Sequence, residues 1–129
     1  MLKKDTDKTL RALVVEDYDI ARMVHMARFQ QIGYNVVKGT SNFQEALRII
    51  EQHKFDVYLV DGRFPDAAGE PEIKGNGIRI YPIIKENNPA GRFILFSGDT
   101  TTLDEAKNQG IEAYHKLGDV NPFDILNNE

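Results

Sequence analysis

Apolar residues along this chain follow two rhythms, short unbroken runs and stretches spaced three or four apart, and the two alternate from end to end. The first run, Ala12-Leu-Val-Val, ends in the acidic pair Glu16-Asp17 and reads as a buried strand. From Asp19 to Ile32 the positions Ile20, Met23, Val24, Ala27 and Ile32 fall largely at helical spacing, with Gly33 as the stop. Tyr34 to Val37 is a short second strand. Thr40-Ser41-Asn42 offers caps for a second helix whose Phe43, Ala46, Leu47 and Ile50 share one face. Val57-Tyr-Leu-Val is a third strand ending at Asp61, and Phe93-Ile-Leu-Phe a fourth ending at Ser97. Between them Gly77 to Lys85 carries Ile78, Ile80, Ile83 and Ile84, and Pro82 is expected to sit early in that helix or to break it. Thr102-x-x-Glu105 has the capping-box pattern for a helix running to Asn108, which Gly110 stops. A fifth strand around Glu112 to His115 and a short helix from about Asn121 complete the pattern.

Strands that alternate with helices predict a five-stranded parallel sheet covered on both faces, because right-handed crossovers place the helices there. The expected architecture is a doubly wound α/β fold of the flavodoxin-like kind, with strand order 2-1-3-4-5. In such sheets functional groups gather at the carboxyl ends of the strands. Those ends carry Glu16 and Asp17, Asp61, Ser97 and Lys116, and the five groups are expected to converge.

Bulk properties narrow the chemistry. The 129 residues suffice for one domain with its own core. Residues 1–10 are expected to be an N-terminal extension and 11–129 the folded domain. Lys+Arg total 16 against Asp+Glu 20, a net charge of -4 that offers no basic field for nucleic acid. Zero cysteines exclude disulfides, zinc–thiolate sites and thiol catalysis. The polar start lacks the apolar stretch of a signal peptide or spanning helix, so a cytoplasmic protein without membrane contact is expected. His25, His53 and His115 share no metal-ligand spacing and are read as helix, surface and strand residues without catalytic duty.

Taken singly, each strand-end residue has a plain structural reading. Asp61 is a turn residue, Glu16-Asp17 the acidic start of a helix, Lys116 a solvated lysine, Ser97 a turn residue and Tyr114 a core aromatic. Together they make a chemical set. Three adjacent carboxylates repel unless a cation shares them or one is protonated, and a hard divalent ion with oxygen ligands meets that need. Magnesium is expected, with manganese as an alternative. Asp61 is then free to act as a nucleophile toward a phosphoryl group, whose charge Lys116 and Ser97 help to stabilise.

From about Arg11 to the C-terminus the chain resembles the response-regulator receiver family. Glu16-Asp17 resembles its metal-binding acids, and Asp61-Gly-Arg-Phe-Pro65 with Gly69 resembles the segment around its phosphorylated aspartate. Ser97-Gly98 resembles its hydroxyl residue and small neighbour, Lys116 its invariant lysine, and Tyr114 its switch aromatic. The resemblance implies Asp61 as phosphoacceptor, metal ligation by Glu16, Asp17, Asp61 and the backbone carbonyl of Arg63, and a phosphohistidine donor. That donor is a sensor histidine kinase or a histidine phosphotransfer protein. The output, with little chain left after the fifth strand, is expected to be binding to a downstream target protein, through reorientation of Ser97 and Tyr114.

The pattern departs from the family in two places. The stretch from Ala67 to Gly77 is longer than the usual link into the third helix, and its Gly, Pro and charge content reads as a mobile surface loop able to gate the site. Gly110 to Lys116 is one residue short, and Leu117 stands where proline is usual, so the Lys116-Leu117 peptide is expected to be trans with Lys116 still reaching Asp61. Two enzyme or carrier classes fit less well. A flavodoxin-like electron carrier needs a glycine- and hydroxyl-rich phosphate loop where Glu16-Asp17 stands, and an aspartate-nucleophile phosphatase needs a second acid where Arg63 stands. The alternative that stays open is a pseudo-receiver, a protein-interaction module with this fold and no phosphoryl chemistry.

Overall fold

The computed structural model describes residues 8–129. The first seven residues of the expected N-terminal extension lie outside that range, while Leu10 is tied to Asn35 by hydrogen bonds on both its N–H and its carbonyl. Twelve elements follow in order: β1 (Arg11–Val15), α1 (Asp19–Gln31), β2 (Val36–Thr40), α2 (Phe43–Gln52), β3 (Val57–Val60), β4 (Arg63–Pro65), β5 (Glu72–Lys74), α3 (Asn76–Asn87), β6 (Arg92–Ser97), α4 (Thr100–Asn108), β7 (Ala113–His115) and α5 (Pro122–Asn127).

Five strands form one parallel sheet in the order β2-β1-β3-β6-β7, the predicted 2-1-3-4-5 order once β4 and β5 are set aside. The register aligns Val15 with Val60, Val60 with Leu95 and Ser97 with His115, so the carboxyl ends meet along one edge. Alternation divides the strand residues between two apolar layers. Leu13, Val15, Val60 and Leu95 meet Phe43, Ile50, Ile80, Ile84 and Leu103 beneath α2, α3 and α4. Val14, Leu59, Ile94 and Phe96 meet Phe29, Phe123 and Leu126 beneath α1 and α5. Each fully buried aliphatic side chain in these layers contributes roughly 1.5–3 kcal/mol.

Four boundaries differ from the sequence expectation. The chain comes alongside β1 only at Val36, after the turn at Gly33 (φ 104°) and a bond from Tyr34 N–H to the Phe29 carbonyl, so β2 runs Val36–Thr40 rather than from Tyr34. Pro82 neither opens nor breaks α3: it lies on the exposed side, and burial of Ile80 and Ile84 carries the helix through to Asn87. The fourth helix starts at Thr100, two residues before the capping-box threonine, because Asp99 caps it by accepting from Thr101 N–H (3.0 Å) and the Thr102 hydroxyl (3.1 Å).

The fourth difference is the largest. The stretch expected to be a surface loop contains β5, which pairs antiparallel with β4, Arg63 opposite Lys74 and Pro65 opposite Glu72. The hairpin has firm footings. Phe64 is wholly buried and stacks on Phe43 at 6.2 Å, and Asn76 Nδ2 donates to the Phe64 carbonyl (2.7 Å) and to Asp66 (3.0 Å). Gly69, which the resemblance placed near the phosphoacceptor, sits in the hairpin turn at φ 80° with open space around it. Gly77 holds the close position instead: a Cβ there would lie 2.3 Å from the Asp61 carbonyl oxygen and 2.8 Å from Gly62 Cα.

Gly77→Ala is therefore expected to push the first turn of α3 away from the Asp61-Gly62 backbone and to destabilise the fold by about 1–3 kcal/mol. Chemical denaturation measures this, and an unchanged midpoint would contradict the close packing.

Candidate functional site

Four loops at the carboxyl edge deliver the side chains. Glu16 and Asp17 follow β1, Asp61 follows β3 directly, Ser97 ends β6 and Lys116 follows β7. One oxygen each from Glu16, Asp17 and Asp61 lies within 4.8 Å of the others. Lys116 Nζ donates to Glu16 Oε1 at 2.6 Å and reaches Asp61 Oδ2 at 3.4 Å. Its peptide to Leu117 is trans, and the Leu117 side chain is 90% exposed. Trans geometry thus does not keep the ammonium from the site, although Glu16 is its nearer partner.

Glu16 is the most buried of the acids, 2% exposed, and its Oε2 accepts from Tyr18 N–H at 3.2 Å. Burial works to raise its pKa, but the Lys116 hydrogen bond and charge outweigh it and hold Glu16 below the usual carboxylate range. Asp61 fares differently. Burial first, then the ionised Glu16 beside it, push it up to about 7, although Gly62 N–H donates to its Oδ1 at 2.7 Å. Asp17 rises to about 7 as well, through burial and then the Glu72 carboxyl of β5, which lies close enough to share a proton with it. Asp17 Oδ1 is buried without any hydrogen-bond partner.

Ser97 is buried, its Oγ accepting from Asp99 N–H at 3.1 Å and standing 2.9 Å from where a Cβ on Gly62 would be. It therefore flanks the backbone just past Asp61. Arg63 opens β4 with its guanidinium turned to Asp99 Oδ2 at 3.3 Å. Tyr114 is not brought to this group. It pairs with Phe96, packs with the α1 and α5 layer, and donates its hydroxyl to Glu112 at 2.5 Å, on the sheet face opposite Leu95 and Ala113.

The sequence reading missed three groups around the site: Glu72 against Asp17, and Lys74 and Asp99, joined at 3.6 Å. The signal was present in Arg63-Phe-Pro and Glu72-Ile-Lys, two short segments separated by Gly and Pro, the pattern of a hairpin with a longer loop. His25, expected to be an ordinary helix residue, packs against Phe96 (5.5 Å) and Phe123 (5.9 Å). Burial pushes its pKa down to about 4.

The donor set suits a hard divalent cation: carboxylate oxygens only, crowded closely enough to repel, with one buried oxygen unpartnered. No helix among the described residues is long and apolar enough to cross a membrane.

Comparison with known proteins agrees with this geometry. The family model for the response regulator receiver domain matches residues 12–116. The transcriptional regulatory protein PdtaR of Mycobacterium tuberculosis is 29% identical over 120 residues, 89% of this chain and 51% of that protein. The transcriptional regulatory protein CitT of Bacillus subtilis is 27% identical over 106 residues, 80% of this chain and 43% of that one. The chain thus spans about half the length of the curated relatives it matches. A CheY-like receiver domain protein from Methanospirillum hungatei, solved by crystallography, shares the fold at a TM-score of 0.70 and 23% identity, covering 94% of this chain and 90% of its own. Since the family model covers most of the sequence, and the acids, hydroxyl and lysine stand at the strand ends of the same fold, this chain belongs to the response regulator receiver domain family.

Proposed function

We propose that this receiver accepts a phosphoryl group on Asp61 from a phosphohistidine of a histidine kinase or phosphotransfer protein, in a magnesium-dependent reaction, and thereby switches a protein-interaction surface. The observation that carries the reading is the setting of Asp61: Lys116 Nζ on one oxygen, Gly62 N–H on the other, and Glu16 and Asp17 within cation-sharing distance. Asp61 Oδ attacks phosphorus, the P–N bond to the donor imidazole breaks, and that nitrogen keeps the electron pair and takes a proton. Glu16, Asp17, Asp61 and the Arg63 carbonyl would hold the cation, which when bound offsets charge on the transferring oxygens. Lys116 and the Ser97 hydroxyl supply the remaining positive and donor groups. A location in the cytoplasm, where such donors act, fits this role.

The switch runs from Ser97 through Asp99. Ser97 Oγ holds Asp99 N–H, and Asp99 caps α4, so a hydroxyl recruited to a phosphoryl group releases the cap that fixes the start of that helix. Tyr114 is given no part in this coupling, because its ring belongs to the α1 and α5 layer. A pseudo-receiver would share every packing contact and differ only in lacking transfer.

Incubation with acetyl phosphate and Mg²⁺ is expected to add one phosphoryl group, detected as a mass increase of the intact protein, and Asp61→Asn is expected to abolish it while remaining folded. Absence of labelling in the unsubstituted protein, from acetyl phosphate and from kinases alike, would establish the pseudo-receiver instead.

The site also predicts a pH profile. Asp61 and Asp17 move from an ordinary 3.8 to about 7 on folding, so without a divalent cation stability is highest near the lower value and declines as pH rises through about 7. Glu16, shifted the opposite way, loses its contribution only at lower pH. Unfolding temperature measured between these limits is expected to fall without Mg²⁺ and to stay level with it. A cation-free profile that rises would contradict the crowding of acids.

A further inference from the structure

The β4–β5 hairpin reaches across the mouth of the acidic pocket and touches both of its banks. On the side of the α4 cap, Arg63 and Lys74, opposite each other in the ladder, both meet Asp99 Oδ2, at 3.3 and 3.6 Å. On the other side Glu72, two residues before Lys74 and so on the same face of β5, lies against Asp17. The cationic end of the hairpin therefore has a partner of opposite charge, whereas its acidic end is held against another acid.

Glu72 is exposed, on a three-residue strand with solvent on its outer side, so apolar burial does not hold it beside Asp17. Two carboxylates in contact repel unless a proton or a cation lies between them. Asp17 contributes a second fact: its Oδ1 is buried and unpartnered, an acceptor with capacity to spare within the cluster formed with Glu16 and Asp61. A hydrated divalent ion there meets both needs, since such ions keep several waters and bind further carboxylates through them.

We propose that Glu72 is a fourth carboxylate of the cation site, carried by the hairpin and acting on the ion directly or through one of its waters, so that cation binding draws the hairpin closed over Asp61. The proposal rests on the cation reading of Glu16, Asp17 and Asp61 given above. It makes the hairpin a cation-dependent cover, fastened permanently at Asp99 and conditionally at Asp17.

Calorimetric titration of the full chain with Mn²⁺ alone, no phosphodonor present, tests it, with Glu72→Gln and Asp17→Asn beside the unsubstituted protein. Glu72→Gln is expected to bind Mn²⁺ about tenfold more weakly, as for loss of an outer-sphere partner. Its cation-free unfolding temperature is expected to be equal or higher, because a repulsive contact has gone. That combination separates a cation ligand from a residue that merely stabilises the hairpin, whose loss would lower the unfolding temperature. Hydrogen exchange across Arg63–Pro65 and Glu72–Lys74 is expected to slow on adding Mn²⁺ in the unsubstituted protein and not in Glu72→Gln. If Glu72→Gln binds Mn²⁺ as tightly as the unsubstituted protein while Asp17→Asn does not, the proposal is overturned and the reading of Asp61 stands. If the unsubstituted protein binds no Mn²⁺, both are overturned together.

Discussion

A carboxylate buried at the end of a central strand needs a cation beside it, and in this protein Glu16 and Lys116 make that pair across a hundred residues of chain. At an effective dielectric near 20, unit charges about 4 Å apart interact by roughly 4 kcal/mol, enough to decide which of the neighbouring acids stays ionised. Glu16 keeps its charge because Lys116 is closest to it. Asp61, farther from the same ammonium and facing an ionised neighbour, is the acid pushed upward. The lysine is therefore divided between holding the site together and serving Asp61, and a divalent cation that answered the acids would free it for the second task.

That arrangement opposes stability locally and is carried by the layers beneath it. Leu13, Val14, Val15, Leu59, Val60, Ile94 and Leu95 are almost wholly buried, and they fix the strands whose ends present the acids. The rigidity extends to Gly77, where α3 presses on the Asp61-Gly62 backbone without room for a methyl group. Alternation in the strands then sorts the neighbours. Ser97 continues the Leu95 face toward α4, and Phe96 with Tyr114 continues the other face toward α1 and α5.

Asp99 is the point at which these parts meet. It caps α4, accepts from Thr101 and Thr102, gives its N–H to Ser97, and receives Arg63 and Lys74 from the hairpin. Glu72 and Asp17 form the opposite contact of that hairpin. A segment that composition marks as loop thus becomes the structure nearest the entrance to Asp61.

Much of this was legible in the sequence, for a physical reason that also sets its limit. Unbroken apolar runs and helical spacings are local signals, so the five sheet strands, the helices and the polar residues at the strand ends could be read directly, as could the trans peptide at Lys116-Leu117, which depends on the nature of one residue. The hairpin could not be read with the same ease. Its strands are three residues long and β5 is exposed throughout, so it lacks the apolar pattern that marks the others, and it exists because Phe64 and Asn76 find burial and hydrogen bonds on α2 and α3. Tyr114 shows the limit most simply: one missing residue in a period-two strand moves a side chain to the opposite face, which the spacing hinted at and only the register decided. The sequence by itself determined which groups stand at the sheet edge, because each follows a local run. Tertiary structure decided which acid Lys116 serves first, and that Glu72 faces Asp17, because those contacts join residues far apart in the chain and are settled by burial and charge together.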